Sequence, residues 1–446
     1  MGSTLPLPTS FKVVIVGAGL GGLGAALGLL YGGYMVEILE AAPEIAEIGA
    51  GLSLHPNSIR ILSSWGLIPQ LEGNANVPRS TIINGWKGNE ISVLDLIAEG
   101  RRFGYPSWDL HRADLHSAML QRANDLGAVI RCNARVIDCI CDDVKNIATV
   151  NLHDGTSVQG DLIIGADGVN STMRQVMYQK KDPPQPTGDT AYRFLTAADK
   201  ISHDPQLSQL LHQRNLWFGP ERHVVAYGIR GGKFLNMVCL DHHDSLGDLM
   251  TAPATLKEVK ALYQGWDPRL IKLLELSDKP TLLKWKLCTK VVSESWSHSS
   301  GLFTLLGDAV HATLPYVAAG AGMALEDGAV LGEVFSRLPK GKRPSINQVK
   351  RALSIYEACR RTRTQTIVKR GYLQQHLNHL NDGEDQQRRD EMMRMVPTRP
   401  GEALVWRDPE FGPWLLSYDH VQDVNVHWPE DGLEERNSTH VHGSML

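Results

Sequence analysis

The chain has 446 residues, of which 42% are hydrophobic and 21% are charged, and its formal net charge is −4 at pH 7. A chain of this length is expected to form two to four domains with enough apolar residues for their cores. The small net charge gives no reason to expect nucleic acid or an anionic membrane as a partner, and the sequence has no run of about 18 uninterrupted apolar residues that would predict a membrane span.

The N-terminal segment follows the order strand, glycine loop, helix, strand. A buried strand leads into residues 17–22 (GAGLGG), and a second strand ends at Glu40. In this loop Gly17 permits a tight turn, Gly19 lets a pyrophosphate approach the backbone, and Gly22 lets the helix pack on the strand. Glu40 stands where an acid accepts hydrogen bonds from ribose hydroxyls and disfavours a 2′-phosphate, so NADP is not expected here. The alternative is a glycine-rich packing turn; strand, spacing and acid together favour a nucleotide.

The middle of the chain mixes helices with short strands. Helices are predicted over residues 57–65 and 112–126, and alternating strands over residues 129–140 and 148–153, with a hairpin turn at residues 154–155. A further buried strand ends in Gly165-Ala166-Asp167-Gly168. This turn has two interpretations of equal weight, a contact with a cofactor or a turn capped by Asp167 or Ser171.

The second half of the chain changes character after a Lys/Pro-rich linker near residue 181. Period-two alternation predicts an antiparallel sheet with a helix near residues 256–276, and a long Arg-rich amphipathic helix is predicted over residues 345–380. Its Arg360–Arg363 run is expected to form a solvated face or a helix–helix contact. The stretch after Pro397 is expected to be irregular.

A late segment, residues 302–327, combines a buried strand, a Gly307-Asp308 turn, a loop with Pro315, and a glycine-rich entry into a helix expected to end at residues 326–327. The N-terminus of such a helix offers free backbone N–H groups and a positive dipole end to an anion or an electron-rich ring. Two strand–glycine–helix units lie nearly the whole chain apart, which suggests one long cofactor held at both ends.

Three segments carry a resemblance to a known family. They are residues 13–22 (VVIVGAGLGG), 161–174 (DLIIGADGVNSTMR) and 302–315 (LFTLLGDAVHATLP). In this order and spacing they resemble the motifs of single-component, FAD-dependent aromatic hydroxylases, the group A flavoprotein monooxygenases. Residues 49–67 (GAGLSLHPNSIRILSSWGL) are most similar to the salicylate-hydroxylase-like branch. Residues 217–232 (WFGPERHVVAYGIRGG) resemble its fungal members, many of which tailor secondary metabolites.

The resemblance implies a set of FAD-binding residues. They are Gly17, Gly19, Gly22, Glu40, Gly51, Arg112, Asp167, Asp308, Ala321 and Gly322. Glu40 matches the acid on the adenosine ribose, Asp308 the carboxylate on the ribityl chain, and Ala321 with Gly322 the backbone donors beside the isoalloxazine. The chain departs from many relatives in having Ala319 in place of glutamine and Gly322 in place of asparagine, changes that would preserve backbone contacts but remove side-chain ones.

The resemblance also implies a substrate side. Arg193 and Tyr227 match positions that hold a substrate phenolate, whose electron density attacks a flavin C4a-hydroperoxide, and Pro315 lies on the loop over the flavin. The alternatives are a surface ion pair for Arg193 and a core position for Tyr227. His55 could deprotonate a phenol, but a helix-capping or loop-packing role is at least as well supported, with Asn57 as the expected cap.

The resulting prediction is an α/β protein with a Rossmann-like FAD-binding domain, an inserted antiparallel-sheet substrate domain and a long C-terminal helix. The expected boundaries are 11–75, 101–180 and 286–344 for the FAD-binding domain, 76–100 for a substrate-side insertion, 181–285 for the substrate sheet, 345–395 for the helical segment and 396–446 for an irregular tail. NAD(P)H and O₂ are implied as co-substrates of an aromatic hydroxylation in secondary metabolism or aromatic catabolism. The scaffold leaves open epoxidation of an alkene or indole, decarboxylative hydroxylation, or a non-catalytic flavin-holding protein.

Other features bear on metal binding, cellular location and assembly. The six cysteines include no Cys-x-x-Cys pair, and His242-His243 lack a third ligand at a suitable spacing, so no metal site is expected. No secretory signal is recognised, which favours a cytoplasmic location, and the terminal Ser-Met-Leu only weakly resembles a peroxisomal signal. A monomer or a homodimer is expected.

Overall fold

The computed structural model describes residues 10–45, 51–277, 281–291, 295–396, 399–401 and 405–428. The terminal Ser-Met-Leu lies outside these residues. The strands are β1 (Lys12–Val16), β2 (Met35–Leu39), β3 (Gly51–Leu54), β4 (Ser80–Gly85), β5 (Glu90–Asp95), β6 (Trp108–His111), β7 (Val129–Arg131), β8 (Val136–Asp142), β9 (Ile147–Leu152), β10 (Ser157–Gly160), β11 (Leu162–Gly165), β12 (Gln185–Ala197), β13 (Arg214–Gly219), β14 (Arg222–Ile229), β15 (Phe234–Asp241), β16 (Thr251–Thr255), β17 (Thr281–Thr289) and β18 (Phe303–Leu305).

The helices follow the same numbering. They are α1 (Leu20–Tyr31), α2 (Pro56–Ser64), α3 (Ile68–Leu71), α4 (Leu96–Phe103), α5 (Arg112–Asp125), α6 (Thr172–Tyr178), α7 (Pro205–Ser208), α8 (Leu256–Leu262), α9 (Pro268–Glu275), α10 (Asp308–His311), α11 (Gly320–Ser336), α12 (Ile346–Asn378), α13 (Glu384–Arg394), α14 (Phe411–Leu416) and α15 (His420–His427). No described helix has both the length and the mean hydropathy needed to cross a bilayer.

A parallel sheet with the strand order β18-β11-β1-β2-β7 forms the centre of the first layer. Its central strands are continuous apolar runs because both faces are covered, by helix α1 and by the three-stranded sheet β10-β9-β8, and Val13, Val14 and Ile15 are fully buried. Since the strands are parallel, the carboxyl ends of β1, β11 and β18 lie side by side at one edge. The three sequence motifs therefore meet at that edge, and the predicted α/β class with a Rossmann-like unit is confirmed.

A mixed sheet with the order β16-β17-β12-β15-β14-β13-β4-β5 forms the second layer. It is antiparallel except where β13 pairs with β4 in parallel register. One face packs on α8 and α9 through buried residues such as Tyr192, Phe194 and Leu270. The alternation of residues 224–240 predicted the antiparallel part, whereas the parallel contact with β4 joins segments 132 residues apart and has no local sequence signal.

Two predicted helices have different bounds in the structure. The helix expected near residues 256–276 is two helices, α8 and α9, because Pro268 begins a new helix whose N-cap, Asp267, accepts a hydrogen bond from the backbone N–H of Arg269 at 2.9 Å. Helix α11 continues past the expected end at residues 326–327 to Ser336. Carboxylates in mid-helix are tolerated there because buried arginines pair with them.

The C-terminal part agrees with one expectation and corrects another. Arg360 and Arg363 on α12 are buried and pair with acids on α11, so the run makes the helix–helix contact, the second of its two expected alternatives, although Thr362 between them is exposed. The stretch after Pro397 was expected to be irregular, but it contains α14 and α15. Asp419 caps α15 by accepting from two backbone N–H groups, a local signal that the Pro/Trp/Asp-rich composition obscured.

Helices α1 and α11 cross in backbone contact. A Cβ at Gly28 would lie 2.3 Å from the carbonyl oxygen of Gly328, and one at Gly332 would lie 2.6 Å from the backbone of Gly28. Glycine is required at these positions because any side chain would push the helices apart. The close crossing directs both helix N-termini to the same carboxyl edge of the parallel sheet.

Candidate active site

A cavity of about 360 Å³ lies where the carboxyl edge of the parallel sheet faces the mixed sheet. Its walls come from the glycine loop before α1, the turn after β18, the N-terminus of α11 and one face of the mixed sheet. The position agrees with the rule that ligands of parallel α/β sheets bind outside the carboxyl ends of the strands.

The glycine loop is built as the sequence predicted. Gly17 has a φ of +106°, and a Cβ there would lie 2.5 Å from the carbonyl oxygen of Ala166. A Cβ at Gly22 would lie 2.0 Å from the carbonyl oxygen of Gly17, whereas a Cβ at Gly19 would meet no protein atom within 4 Å. Gly17 and Gly22 are therefore explained by packing, and Gly19 is open to the cavity, as the approach of a ligand to the backbone requires.

Two long helices present their N-termini to the cavity. Helix α1 begins after Gly19 and helix α11 begins after Ala319, and no side chain caps either of them. Gly19, Leu20 and Gly21 of the first, and Gly320 and Ala321 of the second, line the cavity. The first-turn N–H groups and the positive dipole ends are thus left for a ligand.

Glu40 holds the glycine loop in place. Its Oε2 accepts a hydrogen bond from the backbone N–H of Ala18 at 2.9 Å, and its Oε1 accepts from that of Ala42 at 2.8 Å. Each carboxylate oxygen keeps a second lone pair, so Glu40 can also accept from a ribose hydroxyl. Its ribose contact remains a prediction.

Asp167 supports the N-terminus of helix α6, whose N-cap is Ser171, rather than lining the cavity. Its Oδ1 accepts from Ser171 Oγ at 2.5 Å and its Oδ2 from the backbone N–H of Met173 at 3.0 Å. Burial raises the pKa of Asp167, and these hydrogen bonds oppose the shift. The neighbouring Ala166 and Gly168 line the cavity instead, which favours the capping interpretation and leaves backbone as the contact at this turn.

Asp308, Pro315 and Ala321 line the cavity, as expected of residues around a flavin. Asp308 is exposed to it at the start of α10. Gly322 faces away from it: a Cβ there would lie 2.7 Å from Ser58 Oγ on α2. The close packing of α2 on α11 therefore explains why a larger residue is absent at this position.

Gly51 and Arg112 also line the cavity, on the side of the short β3–β6 sheet. The backbone N–H of Gly51 donates to Asn236 Oδ1 at 2.9 Å, and a Cβ at Gly51 would lie 2.7 Å from the ring of Tyr227. The loop predicted beside the flavin is therefore in contact with the predicted substrate side.

One face of the mixed sheet supplies the substrate wall. Because side chains alternate along a strand, Ala191 and Arg193 on β12 point to the same side. The other cavity-lining residues of this sheet are Thr81, Leu94, Arg214, Leu216, His223, Val225, Tyr227, Val238, Leu240 and Leu287. Arg193 and Tyr227 thus line one cavity, and their contact with a substrate remains a prediction.

The environment keeps Tyr227 protonated. Burial raises the pKa of Tyr227 well above its ordinary value, and the nearby Asp109 carboxylate raises it further, while Arg193 and Arg214 lower it. Burial and the Arg112 charge lower the pKa of Arg193, and Tyr227 raises it. Arg193 has side-chain surface open to the cavity although it lies deep in the protein. The pair offers a cation and a neutral hydroxyl donor.

His55 lines the cavity and contacts the Pro315 loop. Its Nε2 lies 3.2 Å from the carbonyl oxygen of Val317, and burial together with the Arg214 charge lowers the pKa of His55 to about 4. With a pKa of about 4, His55 is a weak base, so it would not hold a proton taken from a substrate at neutral pH. The geometry favours the loop-packing role. Asn57 is not the helix cap: it donates to Glu326 Oε1 at 2.6 Å, and His55 occupies the N-cap position.

The structure adds a buried ion pair that the sequence did not predict. Arg214 Nε donates to Asp109 Oδ1 at 2.8 Å, and Ser53 Oγ donates to the same oxygen at 2.5 Å. Asp109 is fully buried, and Arg214 is 7% exposed and lines the cavity. Period-two spacing from Leu216 places Arg214 on the cavity face, but only knowledge of which face is buried could have identified it.

A polar network lies behind the Pro315 loop. Asp189, 1% exposed, accepts from Tyr316 Oη and, at 2.7 Å, from Gln375 Nε2, and its Oδ1 lies 2.5 Å from His242 Nδ1. Ligand-type atoms of Asp189, His242 and His379 come within 4.8 Å of one another, which the spacing of His242 in the sequence did not suggest. We interpret the network as the anchor of Tyr316, and the absence of a metal remains a prediction.

The donor set fits the FAD that the sequence resemblance implies. Two uncapped helix N-termini, an open position at Gly19 and the acid Glu40 suit a pyrophosphate and a ribose, and Asp308 with the α11 N-terminus suits the flavin end.

Comparisons with known proteins agree with FAD as the cofactor. Residues 10–215 match the family described as FAD binding domain. The chain is 37% identical over 417 residues to the FAD-dependent monooxygenase OpS4 of Beauveria bassiana (strain ARSEF 2860), covering 92% of this chain and 95% of that protein. It is 32% identical over 403 residues to 3-hydroxybenzoate 6-hydroxylase of Polaromonas naphthalenivorans (strain CJ2), covering 90% and 96%.

A solved structure shows the same fold. The substrate complex of a salicylate hydroxylase is similar with a TM-score of 0.76, at 21% identity, over 97% of this chain and 100% of that chain. At this identity the likeness concerns the fold alone.

Proposed function

The chain belongs to the family of FAD-dependent monooxygenases, and from this premise we propose that it uses NAD(P)H and O₂ to hydroxylate a phenolic or salicylate-like aromatic small molecule. FAD bound here would pass the two electrons of NAD(P)H to O₂, so that one oxygen atom enters the substrate and the other leaves as water. One observation carries the proposal: a single cavity joins two uncapped helix N-termini to the sheet face that bears Arg193 and Tyr227.

The cofactor end is assigned to backbone groups and two acids. The N–H groups at Gly19–Gly21 would bind the pyrophosphate, Glu40 a ribose hydroxyl, and Asp308 the ribityl chain. The N–H groups at Gly320 and Ala321 would stabilise negative charge on the flavin ring. The α1–α11 crossing holds these two groups of donors in a fixed relation.

The substrate end is assigned to Arg193 and Tyr227. The Arg193 guanidinium favours the phenolate over the phenol, which raises the electron density of the ring that is to be oxygenated. Tyr227, kept protonated by its raised pKa, donates a hydrogen bond to the same oxygen and takes no proton. Apolar neighbours such as Leu216, Val225 and Leu240 exclude water from the ring.

Purified protein and isotope labelling test the proposal. We expect a yellow protein whose NADH or NADPH consumption rises when a phenol or a hydroxybenzoate is added. Under ¹⁸O₂, mass spectrometry should find one labelled oxygen atom in the product. A flavin-bearing protein whose NAD(P)H oxidation no aromatic compound accelerates would instead be a flavin-holding protein, and product labelled from water would exclude monooxygenation.

We further propose a cytoplasmic protein, a monomer or a homodimer, that acts in secondary metabolism or aromatic catabolism. Its similarity to a fungal FAD-dependent monooxygenase and to a bacterial hydroxybenzoate hydroxylase supports this setting. Cell fractionation and the mass of the native protein test location and assembly; recovery with the peroxisomal fraction or a larger oligomer would contradict them.

A further inference from the structure

A group of metal-ligand side chains lies between the C-terminal helices α12 and α15, and none of its members lines the cavity. Cys359 on α12 faces Asp423 and His427 on α15, and one ligand-type atom from each residue lies within 4.8 Å of the other two. Asp423 and His427 share a helix face because they are four residues apart. The sequence did not predict this cluster, since 68 residues separate Cys359 from His427.

The spacing of the three ligand atoms matches that around a tetrahedral metal ion. Cys359 Sγ lies 3.5 Å from His427 Nδ1, which lies 3.2 Å from Asp423 Oδ1. Zinc holds a thiolate sulfur at about 2.3 Å, an imidazole nitrogen at about 2.05 Å and a carboxylate oxygen at about 2.1 Å. Tetrahedral angles between such bonds place sulfur about 3.6 Å from nitrogen, and nitrogen about 3.4 Å from oxygen. The observed separations agree with these to about 0.2 Å, the tolerance expected of a metal site.

Hydrogen bonds alone do not satisfy the atoms that meet at His427 Nδ1. Besides the thiol and the carboxylate, the backbone carbonyl oxygen of Asp423 lies 2.9 Å from this nitrogen. An imidazole nitrogen makes one in-plane contact, as a donor or as an acceptor, so it pairs well with only one of the three neighbours. A cation between the sulfur, the nitrogen and the carboxylate oxygen contacts all three. The ring proton then lies on Nε2 of a side chain that is 35% exposed and can donate to water.

The surroundings of the cluster orient its ligands and leave a path for an ion. Tyr418 Oη donates to Asp423 Oδ2 at 2.7 Å, which fixes the carboxylate with its other oxygen, Oδ1, toward His427. Hydrogen bonds of this kind commonly hold a ligating carboxylate in place. Cys359 is buried, whereas Asp423 and His427 reach solvent, so an ion can enter and water can fill a fourth position. One thiolate and one carboxylate together neutralise a divalent cation.

We propose that Cys359, Asp423 and His427 bind a borderline-soft divalent cation, best matched by Zn²⁺, which joins helix α15 to helix α12. The thiolate disfavours Mg²⁺ and Ca²⁺, which prefer oxygen ligands throughout. Burial and the Asp423 charge raise the pKa of Cys359 to about 12, so the thiol is protonated without the metal and releases one proton when Zn²⁺ binds. For these residues the proposal replaces the expectation from the sequence that no metal is bound.

Calorimetry with Zn²⁺ tests the site on the FAD-loaded protein at about pH 8, after a chelator has removed bound metal. We expect the parent to bind one ion per chain and to release one proton, which is read from the heats in two buffers of different ionisation enthalpy. Cys359→Ala should abolish the proton release and weaken binding about 100-fold, and Asp423→Asn and His427→Gln should weaken it about 10-fold or more. Excess Zn²⁺ should raise the melting temperature of the parent by about 3 °C and leave those of the three variants unchanged.

Cys288→Ala and His243→Gln are matched controls, because both residues lie outside the cluster, and they should bind Zn²⁺ like the parent. Equal affinity in the parent and the three ligand variants would indicate scattered surface histidines and overturn the site. Binding without proton release would overturn the role of Cys359.

His242→Gln examines the other cluster of ligand-type atoms, formed by Asp189, His242 and His379. Its Zn²⁺ affinity should equal that of the parent, and a loss of binding would place the ion there and overturn the proposal. Retained FAD shows that a variant is folded, and the partly exposed His427 allows a substitution that does not disturb the core. Because no turnover is measured, the outcome does not depend on the proposed function.

Discussion

In the proposed function, Arg193 binds the phenol oxygen through its charge and Tyr227 binds it through a hydrogen bond. A neutral hydrogen-bond donor alone would favour the phenolate over the phenol only slightly, whereas an adjacent guanidinium favours the phenolate more strongly. Substitutions of the two residues are therefore expected to have different effects on product formation.

Arg193→Ala should leave flavin bound and lower product formation about 100-fold, because one charged donor to a developing negative charge contributes on that order. Arg193→Lys, which keeps the charge and loses the planar fork, should recover part of the rate. Flavin absorbance and product yield are measured on the same preparations. Near-normal turnover in Arg193→Ala would remove this residue from catalysis.

Asp308→Ala should weaken FAD retention by about 10-fold, since one hydrogen-bond acceptor to the ribityl chain is lost without disturbing a buried contact. Asp308→Asn keeps a hydrogen-bond acceptor, so its affinity for FAD should lie between those of the parent and Asp308→Ala. Equilibrium dialysis of the flavin gives the dissociation constants. An alanine variant as yellow as the parent after dialysis would show that Asp308 does not bind the cofactor.

At the level of elements, the α1–α11 crossing links the two ends of the cofactor site. Gly28 and Gly328 leave no room for a side chain, so the spacing of the helices is set by backbone contact. Backbone contacts are less deformable than side-chain packing, because no rotamer change can relieve a clash. A side chain in the crossing should affect both stability and cofactor binding.

Gly28→Ala should destabilise the protein by about 2–3 kcal/mol and weaken FAD binding, because its Cβ would lie 2.3 Å from the carbonyl oxygen of Gly328. Gly24→Ala, one turn earlier on the same helix, is the matched control. Its Cβ would meet its nearest neighbour, the ring of Trp65, at 3.5 Å, so a neutral effect or a gain of up to about 1 kcal/mol is expected. Urea unfolding distinguishes them; equal stability of the two variants would contradict the role of the crossing.

Elements that a nearby sequence pattern specifies could be predicted from the sequence. Features that depend on contacts with distant residues could not. The β1–α1–β2 unit and the capped α12 follow from apolar period, glycine spacing and Ser345 with Gln348. The position of Arg214 in the cavity wall depends on which face of its strand is covered, and Asp109 is 105 residues from Arg214. No local sequence pattern predicts a contact between residues so far apart in the chain. The Gly24/Gly28 and Gly328/Gly332 spacings were a signal that could have predicted the helix crossing.

At the level of the whole molecule, buried ion pairs join the FAD-binding region to the C-terminal helices. Arg360 pairs with Glu326 at 2.7 Å and Asp327 at 2.8 Å, and Arg363 pairs with Glu326 at 2.8 Å. Arg363 also donates to the carbonyl oxygen of Leu415 in α14 at 2.9 Å. Burial raises the pKa of Asp327, but His311 and Arg360 outweigh it and hold the pKa below its ordinary value.

Arg360→Met should destabilise the protein by about 3 kcal/mol at pH 7, because it removes the arginine that the buried Glu326 and Asp327 share and leaves each carboxylate with one fewer cationic partner. The depressed pKa of Asp327 means that its contribution is complete above 3.8, its ordinary value, and is lost as the pH falls through the lower folded value. The difference between parent and variant should therefore shrink in acid. Arg361→Met removes only a more exposed pair with Glu357 and should cost about 1 kcal/mol or less. A pH-independent difference would contradict this assignment.

The parallel contact between β4 and β13 has a consequence for the order in which the chain acquires its structure. During synthesis, the β4–β5 hairpin leaves the ribosome well before β13, because 132 residues separate Asn84 from Leu216. Until β13 arrives, β4 keeps an open edge on which a second nascent chain can pair. The substrate wall closes only late in synthesis, so translation speed between β5 and β13 should affect the yield of native protein more than its final stability.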